Sequence, residues 1–246
     1  MVIEIEKKDG VQIVRLSRPE KKNALTSEMY DGMAEALMTA DETVGCNLLL
    51  GQPGAFTAGN DIADFLQASQ KDMSGSGVVT FLKALTDTKI PLVIGVDGLA
   101  VGVGTTMLFH ADMVYATERS VFKAPFVELG LVPEAGSSLL APAAMGHPKA
   151  FELLCLGEAF TPQKALAAGF VNELVSEQTL EEVAFATAKR IAGLPREAMR
   201  AARGLLKGKT TELSKRVEEE MVVFYQRLQS DEARKAFMAF MMKGKG

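Results

Sequence analysis

The 246-residue chain is 48% hydrophobic and 24% charged, enough apolar material for one large domain or a domain with an appendage. Its formal net charge of -4 and pI near 5.4, without a block of basic residues, argue against a nucleic-acid or polybasic membrane surface. No leader-like N-terminus and no uncharged apolar run of membrane-spanning length is visible, so a small-molecule or protein partner in the cytoplasm is expected.

Val2 to Glu6 and Val11 to Arg18 alternate apolar and polar residues around Asp9 and Gly10, which predicts an opening hairpin. Thr26 is placed to cap a helix carrying Met29, Met33, Leu37 and Ala40 at helical spacing. Cys46 to Gly51 reads as a buried strand, and the two cysteines, Cys46 and Cys155, read as core residues of a reduced protein. A helix around Val78 to Leu85 and a strand at Pro91 to Val96 follow, then a helix from about Thr105 and strands near Met113 to Ala116 and Val121 to Ala124. The element order suggests stacked ββα turns without a strict sequence period.

Beyond Val175 the pattern becomes helical, over Leu180 to Ala192, Glu197 to Leu206 and a stripe of Leu213, Val217, Met221, Phe224 and Leu228. Ser230 is placed to cap a last helix with Phe237, Phe240 and Met241 on one face, an apolar surface suited to another subunit. Two parts are therefore expected, a catalytic core over 1–192 and a helical oligomerisation region over 193–246.

Three glycine-rich stations stand out. AFTAGNDI, from Ala55 to Ile62, follows a buried strand, and Ala58 and Gly59 allow close backbone approach. A loop that holds an oxygen and a tight turn with Asp61 capping the next helix are both open there, the turn being the simpler on pattern. DGLAVGVGTTMLF, from Asp97 to Phe109, gathers free amides near Val103 at a helix start, where the helix dipole would favour an oxyanion. Its glycine spacing matches neither the dinucleotide fingerprint nor a phosphate loop. LVPEAGSS, from Leu131 to Ser138, holds one acid, Glu134, among apolar and very small residues. Desolvation would raise its pKa towards a general base's working range, and capping of the helix that begins near Gly136 is the equal alternative.

Rival acids are Asp61, Asp64 and Glu128, whose ordinary roles are capping, solvation and ion pairing, with Glu128 the closest competitor. His110 and His147 belong to no paired nucleophile or metal motif; His110 is expected to close a helix and His147 to start one.

Taken with RPEKKNAL before them and FTPQKALAAGFVNELV after them, the three stations resemble, over nearly the whole chain, the enoyl-CoA hydratase/isomerase (crotonase) superfamily. The resemblance implies an α/β fold, a superhelix of ββα units with a helical C-terminal oligomerisation region, assembling as a homotrimer or a hexamer of paired trimers. It implies an acyl-CoA or enoyl-CoA thioester as substrate, coenzyme A entering as part of it, with no metal or redox cofactor. By the same resemblance the backbone amides of Asn60 and Val103 hold the thioester oxygen. Coenzyme A lies against Lys22, Asn23, Ala24 and Leu25 and against Ala58, Asp61 and Ile62, while Phe240 and Lys243 reach its nucleotide end from a neighbouring subunit. Asn60 stands where the family often has alanine.

Hydratases of that family use two glutamates, and register places Thr106 and Phe126 at those positions. LGLVPEAGSS is similar to the turn of peroxisomal-type Δ3,Δ2-enoyl-CoA isomerases, whose lone acid matches Glu134. The expected reaction is therefore double-bond migration by proton transfer from C2 to C4. A hydratase or lyase with atypical acids and a nonenzymatic acyl-CoA-binding or assembly protein are the alternatives.

Overall fold

The computed structural model describes residues 2–39, 41–64, 76–208 and 210–243, with the side chains of Met241 and Lys243 outside the description. β1 (Ile3–Lys8) and β2 (Val11–Leu16) form the expected antiparallel hairpin, and the later strand-to-strand pairings among the described residues are parallel. α1 (Ser27–Met38) starts at Thr26, whose hydroxyl accepts from the Met29 amide at 3.4 Å. Met29, Met33 and Leu37 of its stripe are buried, and Ala40 lies outside the described residues.

β3 (Cys46–Leu50), β5 (Leu92–Val96) and β7 (Met113–Thr117) run through the centre of a six-stranded sheet of order β1-β2-β3-β5-β7-β9, the last being Glu173–Val175. β3 and β5 are buried on both faces, which is why they read as largely apolar runs instead of alternating ones, the one polar residue of β3, Asn47, accepting from the Gln12 side chain at 3.0 Å. β4 (Ala55–Thr57), β6 (Leu99–Val101) and β8 (Val121–Lys123) form a second, three-stranded sheet. Each central strand of the large sheet is thus followed by a short strand of the small one before the chain returns, the α/β superhelix that the element order suggests.

α2 (Gly77–Asp87) packs on α1, and Phe56, Phe81, Phe122 and Phe160 are fully buried in the main core, each stabilising by about 1.5–3 kcal/mol through burial. The helix expected from Thr105 begins two residues earlier, as the four-residue α3 (Val103–Thr106), and continues as a 3-10 turn to His110. α4 (Ser137–Met145), α5 (His147–Leu154) and α6 (Pro162–Ala168) lead to β9, and α7 (Leu180–Ala192) covers the outer face of the large sheet.

Past Ala192 come α8 (Arg196–Lys207), α9 (Thr210–Leu228) and α10 (Asp231–Lys243). α9 does not stand apart: Val217, Phe224 and Leu228 are buried in the main core, with Leu213 and Met221 packed beside them. Ser230 caps α10, accepting from the Ala233 amide at 3.1 Å. The face expected on α10 is divided, because Phe237 is buried in the same subunit while Phe240 stays exposed. No helix among the described residues is long and apolar enough to cross a membrane.

Candidate active site

The site is assembled where β4 and β6 end side by side, since ligand loops of parallel sheets gather at the carboxyl ends of the strands. Small residues set the spacing of the two loops. A Cβ on Gly59, whose φ is +86°, would lie 2.9 Å from the Val101 carbonyl oxygen, and one on Gly104 would lie 2.4 Å from Thr57 Cγ2. No larger residue permits that approach.

The first loop is tied down on both sides of one amide. Ala58 donates to the Lys22 carbonyl at 2.9 Å, Gly59 to the Thr57 hydroxyl at 3.1 Å and Asp61 to the Leu25 carbonyl at 2.8 Å. The Asn60 amide between them has no partner among the described residues. In the second loop Gly102 donates to the Lys123 carbonyl at 2.8 Å, and Val103, as the first residue of α3, has no intrahelical acceptor for its N–H. A helix of one turn has little macrodipole, so the charge offered here is that of local N–H groups, a correction to the dipole expected from the pattern.

Glu134 is buried at 6% exposure. Thr106, at the end of α3, donates from Oγ1 to Glu134 Oε1 at 2.5 Å, and the buried Oε2 has no hydrogen-bond partner among the described residues. Burial pushes the carboxyl up to about 8, the Thr106 hydrogen bond pulling it down and the nearby Glu220 carboxylate adding to the rise. Phe126, at the other expected acidic position, is buried and packs edge-on against Phe224 with ring centroids 6.5 Å apart.

Glu134 is not the cap of α4. Glu220, from α9, takes that role: its carboxylate accepts from the Gly136 amide at 2.6 Å and the Ser138 amide at 2.9 Å. Only the Glu134 carbonyl serves the helix start, accepting from Ser137 Oγ at 2.6 Å. The turn is held further at Ala135, which adopts φ +62° and whose carbonyl lies 2.6 Å from the His110 ring nitrogen Nε2. Burial lowers His110 to about 4, so the neutral imidazole stands at this contact near neutral pH and Nε2–H donates.

The rival acids are engaged elsewhere. Asp61 pairs with Arg18 at 2.9 Å and caps the following turn through the Ala63 and Asp64 amides; burial raises its pKa, but these partners outweigh burial and lower it. Asp64 accepts from the Ser27 amide at 2.8 Å and hydroxyl at 2.9 Å. Glu128 is exposed and pairs with Lys123 at 2.9 Å. His147 is exposed at the start of α5, as its position suggests.

Among the positions matched to coenzyme A, Lys22 is exposed and Ala24, Ala58 and Ile62 are half-buried beside the first loop. Asn23 and Leu25 offer no surface of their own. Asn23 instead fastens the loop, donating to the Ala55 and Phe56 carbonyls at 3.0 and 3.1 Å and accepting from the Arg18 amide at 2.7 Å. Phe240 is exposed on α10, and the Lys243 side chain lies outside the described residues.

Two participants escaped the sequence reading. Glu220 is the last of three consecutive glutamates, 218–220, and nothing in its local sequence sets it apart. Tyr30 is a fully buried neighbour whose hydroxyl donates to the Asn60 side-chain oxygen and whose pKa is raised, first by burial and then by Glu134 and Asp64. The buried phase of α1 was the available signal for Tyr30, since it follows Met29 directly.

A family model described as enoyl-CoA hydratase/isomerase matches residues 6–246. Enoyl-CoA delta isomerase 2 of Rattus norvegicus is 36% identical over 95% of this chain and 62% of its own length, so the chain spans under two thirds of that relative. A mitochondrial enoyl-CoA hydratase of Pongo abelii is 29% identical over 97% of this chain and 83% of its own length. The solved structure of Pseudomonas aeruginosa OdaA superposes with a TM-score of 0.93 at 42% identity, covering 98% of both chains.

Proposed function

The chain belongs to the enoyl-CoA hydratase/isomerase family, and on that premise we propose that it is a Δ3,Δ2-enoyl-CoA isomerase with Glu134 as its single proton carrier. The observation that carries this reading is the state of that carboxyl: one oxygen held by Thr106, the other buried without a partner among the described residues, and no acid at Thr106 or Phe126 to assist it. Hydration needs a group to activate water in addition to one that completes proton transfer at the α-carbon. Allylic isomerisation needs one base that becomes one acid.

Glu134 Oε2 takes a proton from C2 of a 3-enoyl thioester, and the electron pair spreads over the carbonyl and the 3,4 double bond. The amides of Asn60 and Val103 stabilise the dienolate oxygen more than the ground-state carbonyl, and the protonated Glu134 returns its proton to C4. Removing one such donor costs about 3–4 kcal/mol of transition-state stabilisation. The Tyr30 hydroxyl occupies the Asn60 side-chain oxygen, and in this reading the donor of that residue is its backbone N–H.

The rest of the reading follows the family. Exposed Leu205 and Leu206 on α8 and Phe240 on α10 support assembly into trimers, with Phe240 and Lys243 serving a neighbour's coenzyme A. The free thiols Cys46 and Cys155 fit a reducing cytoplasm.

The test compares 3-hexenoyl-CoA isomerisation with crotonyl-CoA hydration, with solvent deuterium followed at C2 and C4. Isomerisation should dominate, and Glu134→Gln should abolish it while acyl-CoA binding persists. Full turnover by a folded Glu134→Gln protein, or hydration as the faster reaction, refutes the proposal.

A further inference from the structure

A cleft of about 400 Å³ opens between the C-terminal end of α2 and the helix α8, linked to Glu134's turn through His110, whose carbonyl accepts from Lys207 and whose ring meets the Ala135 carbonyl. Its lining includes Thr88, Lys89, Arg200, Arg203 and Lys207, four of them cationic. Two polar atoms in it are buried and unpartnered among the described residues: Arg203 Nη2 and Thr88 Oγ1, on residues that are each 7% exposed. They are neighbours, because Arg203 Nη1 donates to the Thr88 carbonyl at 2.7 Å.

The charges do not cancel inside the cleft. Arg203 pairs through Nε with Asp112 at 2.8 Å and Arg200 with Glu197 at 3.3 Å, while Asp87 on the rim pairs outward with Lys83 at 2.9 Å. Lys89 has no ion pair among the described residues. Lys207, its stem exposed, turns its ammonium onto the neutral His110 carbonyl at 2.5 Å. Burial drives the Lys207 ammonium down to about 8, Asp112 opposing the fall and Arg203 deepening it. A guanidinium nitrogen and a hydroxyl that lack partners among the described residues, under an excess of positive charge, match the several acceptor oxygens and high charge of a phosphate group.

We propose that this cleft binds a phosphate-bearing small molecule, its oxyanion seated on Arg203 Nη2 and Thr88 Oγ1 and faced by Lys89, Arg200 and Lys207. The cavity is larger than one phosphate, so the remainder of the ligand occupies the space towards the rim. The phosphate could be the substrate's own, since a coenzyme A thioester carries several, or that of a separate metabolite. The site stands whether or not the chain is an isomerase, because it is read by binding and not by turnover.

The test titrates the full-length protein with inorganic phosphate, then pyrophosphate, at fixed ionic strength, by calorimetry and ³¹P NMR. Saturable binding at one site per chain is expected, weakened at least about 10-fold in Lys89→Ala/Arg200→Ala, whose changes lie on the rim and leave the Asp112 pair intact. Arg203→Lys keeps a charge opposite Asp112 but loses the second guanidinium nitrogen, and it should weaken binding as well. Binding near pH 8 should also take up protons as Lys207 recovers its charge, measured in buffers of different ionisation enthalpy. Displacement of phosphate by free coenzyme A, absent in the rim variant, supports the site with the substrate as its source; simultaneous binding supports it with an independent ligand. Non-saturable binding, or saturable binding unchanged in both variants, overturns the proposal.

Discussion

Replacing Thr106 by valine keeps nearly the same shape in a fully buried position and removes one group, the hydroxyl that donates to Glu134 Oε1 at 2.5 Å. A hydrogen bond to a charged acceptor contributes about 1.5–3 kcal/mol, and one pKa unit corresponds to about 1.4 kcal/mol. Because the hydroxyl favours the ionised carboxylate, its loss raises the Glu134 pKa from about 8 by roughly 1–2 units. Below that pKa the ionised fraction falls tenfold per unit, so kcat/KM for a 3-enoyl-CoA at pH 7 should fall about 10- to 100-fold. The rising limb of the pH profile should run parallel to the parent's but at higher pH. The assay is the pH dependence of isomerisation between pH 6 and 10, with the carboxyl C=O stretch followed by infrared difference spectroscopy as an independent titration. An unmoved limb, or an equal loss at every pH, would refute the assignment of Glu134 as base and Thr106 as the group that tunes it.

Glu220→Gln should act in the opposite sense, because removing a neighbouring negative charge lowers the Glu134 pKa and moves the rising limb to lower pH. Its weaker cap at the Gly136 and Ser138 amides should cost about 0.5–2 kcal/mol in urea unfolding. Glu134→Gln should be more stable than the parent at pH 8. The native carboxyl keeps its proton up to about pH 8 while the unfolded one releases it near 4.5, so parent stability is complete below pH 4.5 and declines as pH rises between those values. The gain, at most about 5 kcal/mol, should vanish when unfolding is repeated at pH 4. Gly104→Ala places a Cβ 2.4 Å from Thr57 Cγ2, and it should destabilise by about 1–3 kcal/mol and lower kcat more than it raises KM. Circular dichroism melts and steady-state kinetics on one preparation check both effects.

Much of this molecule is written in local pattern. The buried strands at Cys46–Leu50 and Leu92–Val96, the caps at Thr26 and Ser230 and the glycine loops lie where spacing puts them, because burial phase and capping act over a few residues. The acid in LVPEAGSS could be singled out for the same reason, by the size and polarity of its immediate neighbours.

Its role could not be separated from helix capping until the tertiary structure brought in Glu220, 84 residues beyond the Gly136 amide it caps. The same holds for Thr106 on Glu134, for Tyr30 on Asn60, for Arg18 occupying Asp61 and for the cleft that joins Thr88 to Arg203 across 115 residues. Chain-local physics determines which elements form and which loops approach closely. Which polar atom meets which depends on how whole elements pack, and burial then converts those meetings into altered charge states that no neighbouring residue encodes.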